Sequence, residues 1–392
     1  MKLQHTFVLS CLGLAAAFTQ SAQATLNWHD VQFGGFVSQG FLANTGNNDY
    51  LGETSNGTSA FREYAANASY SFGKFRVGAQ AFGQKLGLYG DDKMKIDWAL
   101  VDYQATQWFG IRAGRVKMPI GLYNEALDLD SVRPFVLLPQ SVYDARLRDF
   151  NAAFNGAMIY GNVELKRFGS IDYRLFYGKI PISLSSGAAD YFNTGLNAKT
   201  LSMGMKNVKG GSIFWNAPIS GLRAGYSYSE FDKLAVVRQA TFGTTLTTYL
   251  KEADAYKRQL LSLEYSHGNW IFATEAGRED ARFVLTPFAT ATIRPAKIKY
   301  AYASASRRMN SWLELGTYAS WSQERQSTNA LLRQADYALS AKFDLTDHLI
   351  FKLEGHYING AGKIFDTPNQ PQPLAKRDNS WEMIAAKVTY SF

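Results

Sequence analysis

The chain has 392 residues, a formal net charge of +8 and 14% aromatic residues, most of them Phe and Tyr. Its one cysteine, Cys11, lies in the N-terminal leader, so the remainder can form no disulfide framework and offers neither thiolate chemistry nor a Cys-ligated metal. The positive charge is spread over short segments interleaved with acids, unlike the clustered patch of a nucleic-acid binder, and no nucleic-acid partner is expected.

Residues 1–24 read as an export signal. Lys2 supplies the positive end, Phe7 to Phe18 an apolar run too short to span a bilayer, and Ala22-Gln23-Ala24 a cleavage site. Val8-Leu9-Ser10-Cys11 has the outline of a lipoprotein box, but the apolar run continues past Cys11 to Phe18, which argues against it. The mature chain is expected to begin at Thr25 and to form one domain over 25–392.

No later segment has the run of about 18 apolar residues that a membrane helix needs. What recurs is alternation. Segments of about ten residues switch between apolar and polar, separated by turn signals, which is the signature of a transmembrane antiparallel β-barrel. At the C-terminus Ile384, Ala386, Val388, Tyr390 and Phe392 share one face, and Lys387, Thr389 and Ser391 the other. In 257–266, Gln259, Leu261, Leu263 and Tyr265 oppose Arg258, Ser262, Glu264 and Ser266; in 296–304, Ile298, Tyr300 and Tyr302 oppose Lys297 and Lys299.

The pattern predicts an all-β fold with strands at 30–42, 61–72, 74–87, 94–105, 109–116, 152–165, 170–180, 199–216, 220–231, 255–267, 269–280, 296–307, 310–324, 333–344, 348–359 and 380–392. About sixteen strands suits a closed bacterial barrel, which has an even number. Short turns, such as Gly73-Lys74 and Gly268, alternate with long connections at 43–60, 88–93, 117–151, 181–198, 232–254, 281–295, 325–332 and 360–379. With both termini periplasmic, 117–151 is the third external loop. Pro119, Gly121, Pro134 and Pro139 break regular structure in it, while Phe135 to Leu138 and Tyr143 let it pack. It is expected to fold inward and narrow the pore.

The charges are placed accordingly. Arg112, Arg115 and Lys117 lie on or just after the fifth strand; Glu125, Asp128 and Asp130 follow on the loop, then Arg133, Arg146 and Arg148. These nine are the candidate constriction residues, with the acidic side of the loop facing a basic wall across a wet opening. Arg115 and Lys117 are expected to bias the passage toward anions. Arg76, Arg174, Arg223, Lys297, Lys299 and Lys352 are expected on the lumen wall, because charge on a lipid-facing row is costly. The bland reading of each is a solvated wall group or half of an ion pair. Tyr and Phe rows near strand ends read as interface girdles.

Enzymatic signatures are lacking. Of the histidines only His356 falls at a luminal position, and no Ser-His-acid or metal-ligand pattern accompanies it. The stretch from Gly355 to Lys363 departs from a phosphate loop at Tyr357 and Ile364. No catalytic, cofactor or metal site is expected.

The run Arg112-Ala-Gly-Arg-Val-Lys-Met-Pro-Ile-Gly-Leu122 resembles the Gram-negative outer-membrane porins related to the phosphate-selective group, and Tyr390-Ser391-Phe392 resembles the C-terminal signal recognised in barrel assembly. The resemblance implies a sixteen-stranded barrel, a homotrimer in outer-membrane lipid, and an inward third loop. Phosphate-selective members carry dense basic ladders. Here Glu125, Asp128, Asp130 and Asp144 interrupt the basic residues, so the expected function is passive passage of small hydrophilic solutes and inorganic ions with a modest anion preference. The alternative is a structural or adhesive barrel whose lumen is blocked.

Overall fold

Alternation builds the molecule. The computed structural model describes residues 31–52, 54–192, 199–242, 245–285, 292–324, 332–364 and 372–392, so the expected signal over 1–24 lies outside the described residues. The first half contains β1 (Gln32–Asn44), β2 (Thr58–Phe72), β3 (Phe75–Leu86), β4 (Lys95–Thr106), β5 (Phe109–Lys117), β6 (Ala153–Glu164), β7 (Ser170–Pro181) and β8 (Lys199–Asn216). The second contains β9 (Leu222–Phe242), β10 (Thr245–His267), β11 (Trp270–Leu285), β12 (Thr292–Arg308), β13 (Leu313–Glu324), β14 (Arg333–Asp344), β15 (Leu349–Gly360) and β16 (Ser380–Ser391).

Each strand pairs antiparallel with its sequence neighbours, and β1 pairs with β16 from Phe36 opposite Ser391 to Asn44 opposite Met383, closing the sixteen-stranded barrel. Closure leaves no unpaired edge. At two of the short turns, Gly73 and Gly268 have φ of +55° and +58°, the left-handed conformation that tight hairpins require.

Most strand boundaries agree with the sequence pattern within a few residues. The clear correction is 232–254, expected as a long connection, of which most belongs to β9 and β10, 21 and 23 residues long. That stretch carries Val236, Val237, Thr241, Thr247, Thr248 and Tyr249, residue types that favour the pleated chain. The wall is therefore taller at β8–β12 than at β13–β16, whose strands have 12 residues each.

The polarity is that of a chain turned inside out. On β16, Trp381, Met383, Ala385, Lys387 and Thr389 are buried inside the barrel, whereas Ile384, Val388 and Tyr390 are exposed outside. Leu339 and Leu353 on β14 and β15 point outward while Lys342, Lys352 and Glu354 point inward and are buried. Trp108, Trp270 and Trp312 stand outward close to short turns, where amphipathic rings match a membrane interface.

The apolar core lies within the barrel, where the connection after β5 packs on the wall. One cluster joins Val116, Met118, Ile120, Leu138, Val142 and Tyr143 to Phe154, Phe176, Leu260 and Tyr302. Another joins Val136 and Leu137 to Leu42, Phe61, Ile358 and Trp381.

Candidate functional site

The site begins where β5 ends. Gly114 has φ +126°, and a Cβ there would lie 2.3 Å from the Ala99 carbonyl oxygen, so only glycine fits this irregular rung. Gly121 has φ +66°, and its Cβ would meet the Tyr143 hydroxyl at 2.5 Å and a Glu275 carboxylate oxygen at 2.7 Å. The R-x-G-x-x-K-x-P-x-G run thus marks the corner at which the wall becomes the loop. Gly121→Ala is expected to cost about 2 kcal/mol or more, combining left-handed strain with a contact that must shift. A thermal midpoint equal to that of the unchanged protein would contradict this.

The connection from 118 to 152 contains three short 3₁₀ turns, at Asn124–Ala126, Asp130–Val132 and Ala145–Leu147, and a helical turn at Arg148–Asn151. Four groups of polar contacts fix it to inward-facing side chains. In the first, Lys117 and Arg148 each bridge Asp97 and Asp128: Lys117 to Asp97 at 2.7 Å, Arg148 to Asp97 at 2.8 Å and to Asp128 at 2.7 Å. Gln80 donates to both carboxylates, and the Arg148 guanidinium lies 3.8 Å from the centre of the Phe82 ring. Burial alone would raise the Asp128 carboxyl, but Arg148 and Lys117 hold it far below the usual carboxylate range.

The second group centres on Asp130. It meets Lys387 at 2.8 Å, Lys352 at 3.1 Å and Arg133 at 3.6 Å, and accepts from Thr389 at 2.6 Å. Burial would raise this carboxyl too; Lys352, Lys387 and Arg133 outweigh it and hold it well below its ordinary value. The next residues are bound through their backbone. Lys342 donates to the Ser131 carbonyl, Ser340 to that of Pro134 and Lys352 to that of Phe135, while the amides of Val136 and Leu137 donate to Glu354 at 2.9 and 3.1 Å.

In the third group Asp144 pairs with Arg146 at 2.7 Å and with Lys363 at 3.5 Å. The Asp144 carboxyl is lowered, because Arg146 outweighs the burial that would raise it. The fourth fixes both arms of the loop to the tall wall. Glu275 accepts from the Leu122 amide at 3.0 Å, from Tyr302 at 2.9 Å and from Tyr143, while Arg258 donates to the Val142 carbonyl at 2.8 Å and to Asn151 at 3.0 Å.

These contacts change the expected picture in three places. Asp128 and Asp130 do not face basic groups across water; they touch them, in clusters from which water is largely excluded, and only Glu125, 3.4 Å from Arg174, keeps an exposed side chain. Lys352 is 1% exposed and forms half of a buried pair rather than a solvated wall group. Lys297 and Lys299 are exposed on the outer face of β12, because Tyr300 and Tyr302 turn inward to Arg258 and Glu275. The alternation there was legible, but its direction is reversed.

The other expected residues fall as follows. Arg112 pairs with Asp102 at 2.9 Å and lies over the Tyr160 ring, and Arg115 donates to the Asp97 carbonyl at 2.8 Å. Arg174 and Arg223 point inward on β7 and β9, and Arg223 lies 3.8 Å from Asp172. Arg76 stands opposite Asp102 on the neighbouring strand. Sequence reasoning did not single out Lys387, Arg258, Asp102 or Asp336 as site residues, although it placed Lys387 and Arg258 on the wet faces of their strands. His356 does lie inside the barrel; its Nδ1 is 3.0 Å from Asp336 and its Nε2 3.0 Å from Glu354.

Between the loop and the β2, β3 and β16 wall is a gap of about 60 Å³ whose lining includes Glu63, Asp128, Arg133, Asp144, Arg148 and Lys387. Phe61, Leu127, Val136, Leu137, Leu138 and Val142 line it too, and it holds a few waters at most.

No family model matches the chain, and no curated protein matches it. Solved structures do. OmpT, an outer membrane protein of Vibrio cholerae folded in vitro, superimposes with a TM-score of 0.57 at 10% identity, over 92% of this chain and 97% of that one. The anion-selective porin from Comamonas acidovorans gives 0.56 at 11% identity, over 92% and 99%. OmpF of Salmonella typhi, in complex with daunomycin, gives 0.55 at 11% identity, over 93% and 99%. The chain therefore has the closed sixteen-strand barrel fold found in outer-membrane porins of known structure.

Proposed function

We propose that the protein is an outer-membrane porin: a passive channel for small hydrophilic solutes and inorganic ions, exported by its N-terminal signal and assembled as a trimer in outer-membrane lipid. The observation that carries this reading is the polarity of the wall, largely apolar outward and charged inward, with a loop docked on its inner face. A modest anion preference is part of the proposal. Its support is the row of Arg76, Arg112, Arg174 and Arg223, which lie inward on β3, β5, β7 and β9 near the short turns; the acids that oppose them are Asp102, Asp172, Glu125, Glu264 and Glu314.

Reconstitution into a planar bilayer should give stepwise ion conductance, and well-folded protein without it would remove the proposal. Replacing Arg174 and Arg223 by Gln should move the zero-current potential in a salt gradient toward cations. An unchanged potential would take that wall out of the selectivity.

A further inference from the structure

A second, larger space of about 290 Å³ opens between the β3–β4 connection, the starts of β4 and of the helical turn at Arg148, the end of β5, and the segment after β7. It shares Gln84 and Arg148 with the central gap, so the two spaces adjoin. Several of its charges are already committed. Lys95 holds Asp91 and donates to Ser183 and Ser185 at 3.2 and 3.3 Å, tying the two connections together, and Arg148 is shared between Asp97 and Asp128.

Apart from Lys93, whose side chain is exposed, two opposite charges are not. Arg115 is fixed by the Asp97 carbonyl at 2.8 Å and by Asn155 at 3.3 Å, and among the described residues it forms no ion pair. Asp149 accepts the Ser183 amide at 3.3 Å and likewise pairs with no base among the described residues. The cleft therefore presents a positioned guanidinium and a carboxylate in one wall without joining them, with the Gln84 amide between spaces and Ile96 and Ile182 as apolar lining.

We propose that this cleft binds a small zwitterion, and that an α-amino acid is the chemistry it fits. The solute carboxylate takes the free N–H groups of Arg115, and the ammonium takes Asp149. A plain anion satisfies Arg115 but is repelled by Asp149, and a plain amine meets the reverse mismatch; only a molecule with both charges neutralises both groups. The volume is near the lower end of small-molecule sites, about 300 Å³, which suits one amino acid rather than a chain of them. As an entry station for a permeating solute, the cleft rests on the channel reading above; as a binding site it stands separately.

Titration calorimetry on the full barrel in detergent tests it, with L-leucine, isovalerate, isopentylamine and glucose as probes. Leucine should bind at least about tenfold more tightly than isovalerate or isopentylamine, the loss expected for one charge-assisted hydrogen bond, and glucose should not compete. Arg115→Gln and Asp149→Asn should each weaken leucine at least about tenfold. Equal binding of isovalerate and leucine, unaffected by Asp149→Asn, would reduce the cleft to an anion site and overturn the proposal. So would no leucine heat from protein that conducts ions, an outcome that leaves the channel reading standing; leucine binding by a barrel that does not conduct would do the opposite. The probe comparison on the unaltered protein decides the matter even if a variant fails to fold.

Discussion

Asp130→Asn should release the tip of the loop. The substitution keeps the shape of the side chain but leaves Lys352, Lys387 and Arg133 buried with Glu63 as the remaining acid near Lys387. Removing one member of a buried charge cluster costs about 3–5 kcal/mol, because its partners stay desolvated without compensation. The strand ladder does not depend on that cluster, so the barrel should remain closed while residues near 130–137 detach. Single-channel conductance should rise, and this stretch should become open to proteolysis in protein that keeps its strand signal. Unchanged conductance and protection would show that the backbone contacts of Glu354, Lys342 and Ser340 suffice alone. Adding Lys352→Met should recover part of the loss, since an apolar side chain of similar volume needs no partner.

Acid should undo the same docking, and later than for an ordinary carboxylate. Asp128, Asp130 and Asp144 are all held below their usual range: burial would raise each, but the adjacent cations outweigh it. A depressed native value means that the docked state gains stability from these groups at every pH above the unfolded value, near about 3.9, and loses it as pH falls through the lower native value. Hydrogen exchange of amides in 128–146 should therefore stay slow from pH 8 to about pH 4 and accelerate only in stronger acid. Acceleration already at pH 5 to 6 would mean that these carboxylates are not held by their cations in solution.

The barrel was legible in the sequence because its physics repeats every two residues. Ile384, Val388 and Tyr390 against Lys387 and Thr389 is a one-dimensional record of lipid on one side and water on the other, and reading it needs no partner strand. The inward loop was legible for a related reason, since apolar groups such as Phe135 to Leu138 must be covered by something. The partners inside were not legible. Asp130 and Lys352 are 222 positions apart, and whether they meet depends on the shear of the whole barrel. Alternation also fails where both rows carry polar atoms. On β12 the hydroxyls of Tyr300 and Tyr302 suit the inside as well as the lysines do, and the deciding groups, Arg258 and Glu275, come from other strands. The expected field across water gave way to direct pairing because the loop docks close enough for Asp128 to touch Lys117 and Arg148 and for Asp130 to touch Lys352 and Lys387.

The seam between β1 and β16 joins the two ends of the described chain, and β16 also supplies Lys387 and Thr389, two of the four groups that hold Asp130. Closure and docking are coupled by that placement. A barrel open at this seam keeps the contacts of Lys342, Ser340, Lys352 and Glu354 to the loop tip but lacks those of Lys387 and Thr389 to Asp130. Closing the cylinder and seating Asp130 therefore draw on the same strand, so a barrel opened at this seam should hold its loop tip more loosely.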